Sequence, residues 1–381
     1  MKKTLIFFLT VFFFACNGKV SNDEHEKQMK QEEVKHIKIF NDSMKKLCFQ
    51  SIRLVPLETK DNILLGGELQ LKIVNNEFFV LDMQNQKCVL RFDSEGKFLN
   101  KIGKYGRGPQ EYNPLGDFSI HGDTIDFLSG SQKPTIIGYR RNGNFLYSKT
   151  FDIYSLVFEK IKSGYVFYRG YGRFSSSTSL FRINITDDNG NIQSSYLKDD
   201  TKLEIPVMEN NFSRSDSLIY FHEAFNNSVY VLNSGILEKT YTLDFENYLI
   251  PDAFYKTGMK GFEMLHKNGF ATIKNYFGNN KMDFFVVVVQ KKGQETQVHY
   301  VLNILNHNRM YRKTLDEESG PNSPFNQPIS ITKNNELVFL SPAYAVIDNR
   351  ESLKDVATNN AIIDGLSALD NPVVLFCQVN K

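Results

Sequence analysis

Short apolar runs alternate with polar turns along most of the chain, and the runs carry the two-residue period of β-strands. Ser179-Leu180-Phe181-Arg182-Ile183-Asn184-Ile185 alternates cleanly, the pattern of a half-buried strand. Phe284 to Val289 is continuously apolar, as a strand covered on both faces requires. One unit stands out: Glu77-Phe78-Phe79-Val80-Leu81-Asp82, then Lys87-Cys88-Val89-Leu90-Arg91-Phe92-Asp93, the turn Ser94-Glu95-Gly96, and Lys97-Phe98-Leu99-Asn100-Lys101-Ile102-Gly103. It reads as strand, strand, tight turn, strand.

The turn recurs at Asn142-Gly143, Asn189-Gly190, Ser234-Gly235 and Lys292-Gly293, so that successive glycines are 47, 47, 45 and 58 residues apart. Gly and Asn tolerate the positive φ of two-residue primed hairpin turns. A period of about 40–50 residues with several strands per unit is that of a β-propeller. Five turns make five units, and the chain ends supply the sixth. Glu336-Leu337-Val338-Phe339-Leu340 and Pro372-Val373-Val374-Leu375-Phe376-Cys377 are late strands, and Gln50 to Leu57 is an early one. Pairing the early strand onto the last unit removes an open sheet edge. The expected fold is all-β: a six-bladed β-propeller over 49–381, the last blade closed by the N-terminal strand. Between Ser341 and Asp370 the spacing turns helical, which predicts an insertion with one helix inside the last blade.

The N-terminus follows a different rule. Met1-Lys2-Lys3 precedes the apolar run Leu5 to Ala15, then Cys16. That run is too short for a membrane span of about 20 residues and reads as a signal peptide over 1–15. Phe13-Phe14-Ala15-Cys16 resembles a bacterial lipobox, which makes Cys16 the lipidation site. Residues 16–48, rich in Lys, Glu, Asn and Gln, read as a polar tether. The acidic patch Asp23-Glu24-His25-Glu26 is a weak export signal.

Composition narrows the function. The chain has 381 residues with 45 Lys+Arg against 43 Asp+Glu, and 13% aromatics without Trp. A net charge of +2 gives no basic stripe for nucleic acid. Aromatic and β-branched residues favour sheet. The seven histidines show no zinc-ligand spacing, and no nucleophile elbow or dinucleotide fingerprint occurs, so no cofactor is implied. Asp187-Asp188-Asn189-Gly190-Asn191 fits a hairpin turn better than a calcium loop. Tyr165, Tyr168, Tyr171 and Phe174 read as core plus rim, with an aromatic platform as the alternative. Cys48 and Cys377 flank strands of the shared blade and could bridge; two reduced buried thiols is the simpler reading.

Ile102-Gly103-Lys104-Tyr105-Gly106-Arg107-Gly108-Pro109-Gln110-Glu111-Tyr112 resembles the G-x-x-G-x-G-P-x-E-Y signature of bacterial six-bladed β-propeller lipoproteins, whose fold is NHL-like. Val55-Pro56-Leu57-Glu58-Thr59 looks like that family's opening strand and Asn371-Pro372-Val373-Val374-Leu375 like its closing strand. The resemblance implies architecture and no established reaction. Mechanically, Gly106, Gly108 and Pro109 make a stiff crossover from one blade to the next, pinned by an Arg107–Glu111 charge-assisted hydrogen bond. The functional alternative puts Arg107, Glu111 and Tyr112 at the channel mouth as ligand-binding residues.

The expected function is therefore an envelope lipoprotein, held at the outer membrane on its periplasmic or surface face. Its propeller would bind a peptide, glycan or protein partner. The alternative is a lactonase-like hydrolase or glycan-active lyase with a cation in the axial channel. That reading requires at least three Asp, Glu, Asn or His side chains around one point.

Overall fold

The computed structural model describes residues 34–40, 43–172, 180–205, 209–292, 296–305, 309–315 and 322–379. Cys16, the signal segment, the acidic patch, Phe174 and Gly293 lie outside them. The described residues form 26 strands and five short α-helices.

Three strands open the chain: β1 (Lys35–Lys38), β2 (Lys45–Lys46) and β3 (Phe49–Pro56). Blade 1 follows as β4 (Leu69–Val74), β5 (Glu77–Asp82), β6 (Cys88–Phe92) and β7 (Phe98–Ile102). Blade 2 is β8 (Leu115–His121), β9 (Thr124–Ser129), β10 (Thr135–Arg140) and β11 (Phe145–Thr150). Blade 3 is β12 (Val157–Ile161), β13 (Gly164–Tyr168), β14 (Phe181–Thr186) and β15 (Ile192–Lys198). Blade 4 comprises β16 (Phe212–Ser215), β17 (Leu218–His222), β18 (Ser228–Asn233) and β19 (Ile236–Asp244). After α1 (Asp252–Thr257) and α2 (Gly261–Asn268), blade 5 runs β20 (Phe270–Gly278), β21 (Met282–Gln290), β22 (Thr296–Ile304) and β23 (Arg309–Leu315). Blade 6 takes β24 (Pro328–Ile331), β25 (Glu336–Ser341) and β26 (Val373–Val379) from the end of the chain, and β3 from its start.

The six sheets are a ring because their cores are shared in pairs. Within β5, Phe78 and Val80 pack with Val338, Leu340, Val374 and Phe376 of blade 6. The alternate residues Phe79 and Leu81 pack with Phe118, Ile120 and Phe127 of blade 2. Alternation along a strand sends successive side chains to opposite neighbours, so these middle strands are apolar on both faces. Equivalent clusters join blades 2 and 3, 3 and 4, 4 and 5, and 5 and 6.

Closure follows the expected register: β3 pairs antiparallel with β26, from Val373↔Pro56 to Val379↔Phe49. Cys377 lies opposite Ile52 and is buried, Cys48 is exposed, and both are free thiols. The outer side of β3 is also engaged. Ile52 N–H donates to Val356 O at 2.9 Å, and Thr358 N–H to Ile52 O at 2.8 Å.

Three features differ from the sequence reading. First, in the described part of the expected tether, from residue 34 on, β1 adds in parallel to β19 and β2 to β23. Ile37, Ile39 and Leu47 supply the cause: they are 6%, 1% and 1% exposed, burying apolar surface that the polar average of the segment conceals. Second, Gly96, Gly143 and Gly190 do not sit in two-residue turns. Each N–H donates to the residue three back, Asp93, Arg140 and Asp187 respectively, and the register shifts beside the turn. This is a β-turn followed by a glycine bulge. Among the described turns, Ser234-Gly235, with φ of 50° and 81°, is the primed two-residue turn expected. Third, the fifth turn joins β21 to β22, the second and third strands of its blade; the others join third to fourth. The helical segment between β19 and β20, residues 245–269, lengthens the interval to 58 even though the turn comes one hairpin earlier in its blade.

The insertion in blade 6 is present, as three short helices: α3 (Ala343–Asp348), α4 (Arg350–Lys354) and α5 (Ala361–Asp364). The helical segment between blades 4 and 5 was not expected. Its Ile250, Phe254 and Leu265 pack with Tyr171 and Leu203 in a separate apolar cluster.

Candidate functional site

Blade connectivity decides which loops share a face. In a ring of four-stranded antiparallel meanders, blade-to-blade crossovers and second-to-third-strand connections emerge together. The crossover 103–114, both helical insertions and the crossover 199–211 therefore lie on one face.

The 103–114 crossover is built around its own side chains. A Cβ at Gly106 would stand 2.0 Å from Glu111 Oε2, and one at Gly103 2.7 Å from Tyr112 Oη. The glycines thus leave room for the Glu and Tyr that follow. Glu111 Oε2 accepts Gly108 N–H at 2.9 Å, and Oε1 pairs with Lys104 Nζ at 2.6 Å. Lys104 and the Gly108 N–H hold the Glu111 carboxyl below the usual carboxylate range. Its ion-pair partner is Lys104 and not the expected Arg107, whose side chain is exposed. Tyr112 is 1% exposed; its hydroxyl donates to Lys87 O at 2.9 Å, and its ring stacks on Phe127 at 4.9 Å. Burial pushes the Tyr112 hydroxyl well above its ordinary value. Of the three expected ligand-binding residues, Tyr112 and Glu111 thus support the loop and Arg107 faces solvent. The loop stands beside the outer strands of blade 2, leaving a groove on each side of about 570 and 390 Å3.

The axis itself is polar. Gln70 and Lys72 come from β4, Asp117 and Ser119 from β8, Glu159 from β12 and Arg214 from β16, the first strand of each of four blades. Gln70 Nε2 donates to Asp117 Oδ1 at 3.2 Å and to Asn210 Oδ1, just before β16, at 3.0 Å. Lys72 Nζ lies 3.4 Å from Glu159 Oε2. Glu159 Oε1 accepts Ser119 Oγ at 2.6 Å and Arg214 Nη2 at 2.9 Å. Contacts from blade 1 to blades 3 and 4 cross the centre of the ring. These first strands are therefore innermost. Burial raises the Asp117 carboxyl, against the pull of Lys72. Burial opposes ionisation of Glu159 too, but Lys72 and Arg214 hold it below the usual range.

This donor set does not suit a cation. Glu159 is already shared by an ammonium and a guanidinium, and Asp117 accepts the N–H groups of Phe118 and Phe158. Among the described residues no three His, Cys, Asp or Glu side chains converge on a metal position.

A second buried charge group lies between blades 3 and 4. Glu223 accepts Arg182 Nε and Nη2, both at 2.9 Å, and Asp199 Oδ2 accepts Arg169 Nη2 at 3.1 Å. Tyr165, Tyr168 and Tyr171 are all buried to 2% or less, so these three are core and not a platform. Asp187 Oδ1 accepts the N–H groups of Asn189 and Asn191, as a hairpin turn requires.

The sequence reading missed the axial residues. Their signal is faint: polar side chains scattered through short strands, each strand the first after a crossover.

A family profile matches residues 31–378, nearly the whole propeller. The chain belongs to the DUF4934 family. Its description is a domain of unknown function. Among solved structures, this DUF4934 chain is similar to a "putative exported protein" from Bacteroides fragilis NCTC 9343, with a TM-score of 0.73 at 17% identity over 91% of this chain and 99% of that one. It is more distantly similar to BamB from Moraxella catarrhalis, TM-score 0.38 at 9% identity over 85% and 97% of the two chains. A protein of unknown function from Bacteroides caccae gives a TM-score of 0.41 at 11% identity over 67% and 84%. No curated protein matches the chain. The first likeness agrees with the propeller fold.

Proposed function

We propose that this DUF4934 protein is an envelope lipoprotein, anchored through Cys16 at the outer membrane, whose propeller is a binding scaffold for a peptide, glycan or protein partner. One observation carries the binding reading. Among the described residues, Leu64, Tyr105, Leu249, Tyr344 and Leu369 are large apolar side chains exposed in the connections that share the helical face, while Leu99 is exposed in a strand. Apolar side chains offered from several loops of one face give a partner anchoring points, and a rigid ring presenting loops suits that use.

The lipobox-like Phe13-Phe14-Ala15-Cys16 supports the anchor, as does the likeness to a protein described as exported. No helix among the described residues is long and apolar enough to cross a membrane. Several acyl chains on Cys16 would hold the protein firmly, since each buried CH2 contributes about 0.8 kcal/mol.

Two measurements test the proposal. Metabolic labelling with a palmitate analogue should mark the protein and be lost in Cys16→Ser; labelling that persists overturns the anchor. A photocrosslinking residue at Leu249 or Leu369 should give adducts in cells that one at Leu99 does not. Equal yields at all three positions overturn the binding face.

A further inference from the structure

The axial charges sort by depth. The anions are walled in: Glu159 and Asp117 are each 5% exposed. The cations are open: the side chain of Lys72 is 23% exposed and that of Arg214 35%. Lys274, on the innermost strand β20, is exposed as well. It stands where the β20–β21 register skips a residue between Ile273 and Asn275.

Donor capacity remains on the cations: Lys72 directs its ammonium at Phe118 O and Glu159, and Lys274 lies near the buried Glu209. One carboxylate, Glu159, serves both Lys72 and Arg214. Arg214 directs only Nη2 at protein acceptors among the described residues, Glu159 and the Lys160 carbonyl, although a guanidinium carries five N–H donors. Asp117 is occupied by two backbone N–H groups and the Gln70 amide. Low-dielectric walls focus the field of such groups, and guanidinium geometry matches carboxylate and phosphate oxygens.

We propose that the axial channel binds a small anion, a carboxylate- or phosphate-bearing solute, through Lys72, Arg214 and Lys274. The assignment rests on the reading of the propeller as a binding domain and names a ligand chemistry for it. It uses residues separate from the apolar face, so the two stand or fall on different measurements.

The test is calorimetric titration of the full-length protein in detergent with inorganic phosphate and, separately, with citrate, at constant ionic strength. Saturable binding of at least one probe is expected, and the probe that binds separates phosphate from carboxylate recognition. Arg214→Gln and Lys274→Gln should each weaken it at least about tenfold, the loss of roughly 1.4 kcal/mol of charge-assisted contact. Lys104→Gln, on the outer crossover, should leave it unchanged. Lys274 lies outside the Glu159 cluster, so its variant remains informative where Arg214→Gln folds poorly. Absence of saturable binding of both probes by folded protein overturns the proposal. So does unaltered affinity in Lys274→Gln. If anion binding fails while the loop-face crosslinks persist, the channel assignment falls and the scaffold reading stands.

Discussion

Gln70 and Asn210 hydrogen-bond at 3.0 Å although they belong to blades 1 and 4, which stand opposite each other in a ring of six. The axis is therefore spanned by side chains at that level. Just below, Lys72, Glu159 and Arg214 tie blades 1, 3 and 4 together. The propeller is held at its rim by β3 and at its centre by this network.

Glu159 is the hub, so removing its carboxyl strands two cations. Glu159→Ala should destabilise the fold by about 1–3 kcal/mol, less than breaking a fully buried ion pair because both cations reach solvent. Urea denaturation with an unchanged m-value checks it.

The closing register can be locked chemically. The N–H and C=O of Ile52 both bond outward, to Val356 and Thr358, so Ile52 and Cys377 form a non-hydrogen-bonded cross-strand pair, the closer kind, with Cα atoms about 4.5 Å apart. That is within disulfide range. Ile52→Cys should bridge to Cys377 under oxidising conditions, and thiol counting on denatured, unreduced protein should fall by the pair. Two free thiols in their place would contradict the β3–β26 register.

Gly96 does more than turn the chain. A Cβ there would lie 2.1 Å from Pro56 O, whereas one at Gly122 meets nothing within 4 Å, and both residues have positive φ, 80° and 57°. Gly122→Ala should cost about 1–2 kcal/mol, the left-handed penalty alone. Gly96→Ala should cost more, because it also pushes blade 1 off the closing strand. Equal thermal shifts in the two variants would remove that latch.

Glu209 gives stability a pH slope. Burial raises its carboxyl to about 7, against Lys274, and Oε2 has no hydrogen-bond partner. A raised acid binds its proton more tightly folded than unfolded. Its contribution is then full below the unfolded carboxylate value and declines as pH rises toward about 7. Glu209→Gln should remove this slope and stabilise the protein at pH 8 by on the order of 2–3 kcal/mol. Denaturation at pH 5 and pH 8 reads both effects.

Much of the ring was legible locally. The apolar doublets Phe78-Phe79 and Val80-Leu81 announce strands covered on both faces, and the glycine turns at 96, 143 and 190 mark a unit, because strand period and turn chemistry are short-range properties. The fifth turn misled, since a glycine between second and third strands looks the same in sequence as one between third and fourth. The 35–47 strap escaped notice because Ile37, Ile39 and Leu47 are too few to lift a polar stretch. Arg107 was paired with Glu111 on nearness in sequence, yet the backbone path of the loop gives that carboxylate to Lys104.

The sequence by itself determined the repeating β unit, the closure by an early strand at Gln50 to Leu57 and the insertion in the last blade. Each rests on periodicity or on a turn residue whose backbone preference is intrinsic. Only the tertiary structure decided what meets at the centre. Gln70 and Asn210 are 140 residues apart. Lys72, Glu159 and Arg214 lie on three separate blades, and no local pattern couples them. Their juxtaposition is set by the closure of the ring, which brings the innermost strands to one axis and leaves their scattered polar side chains to find each other there.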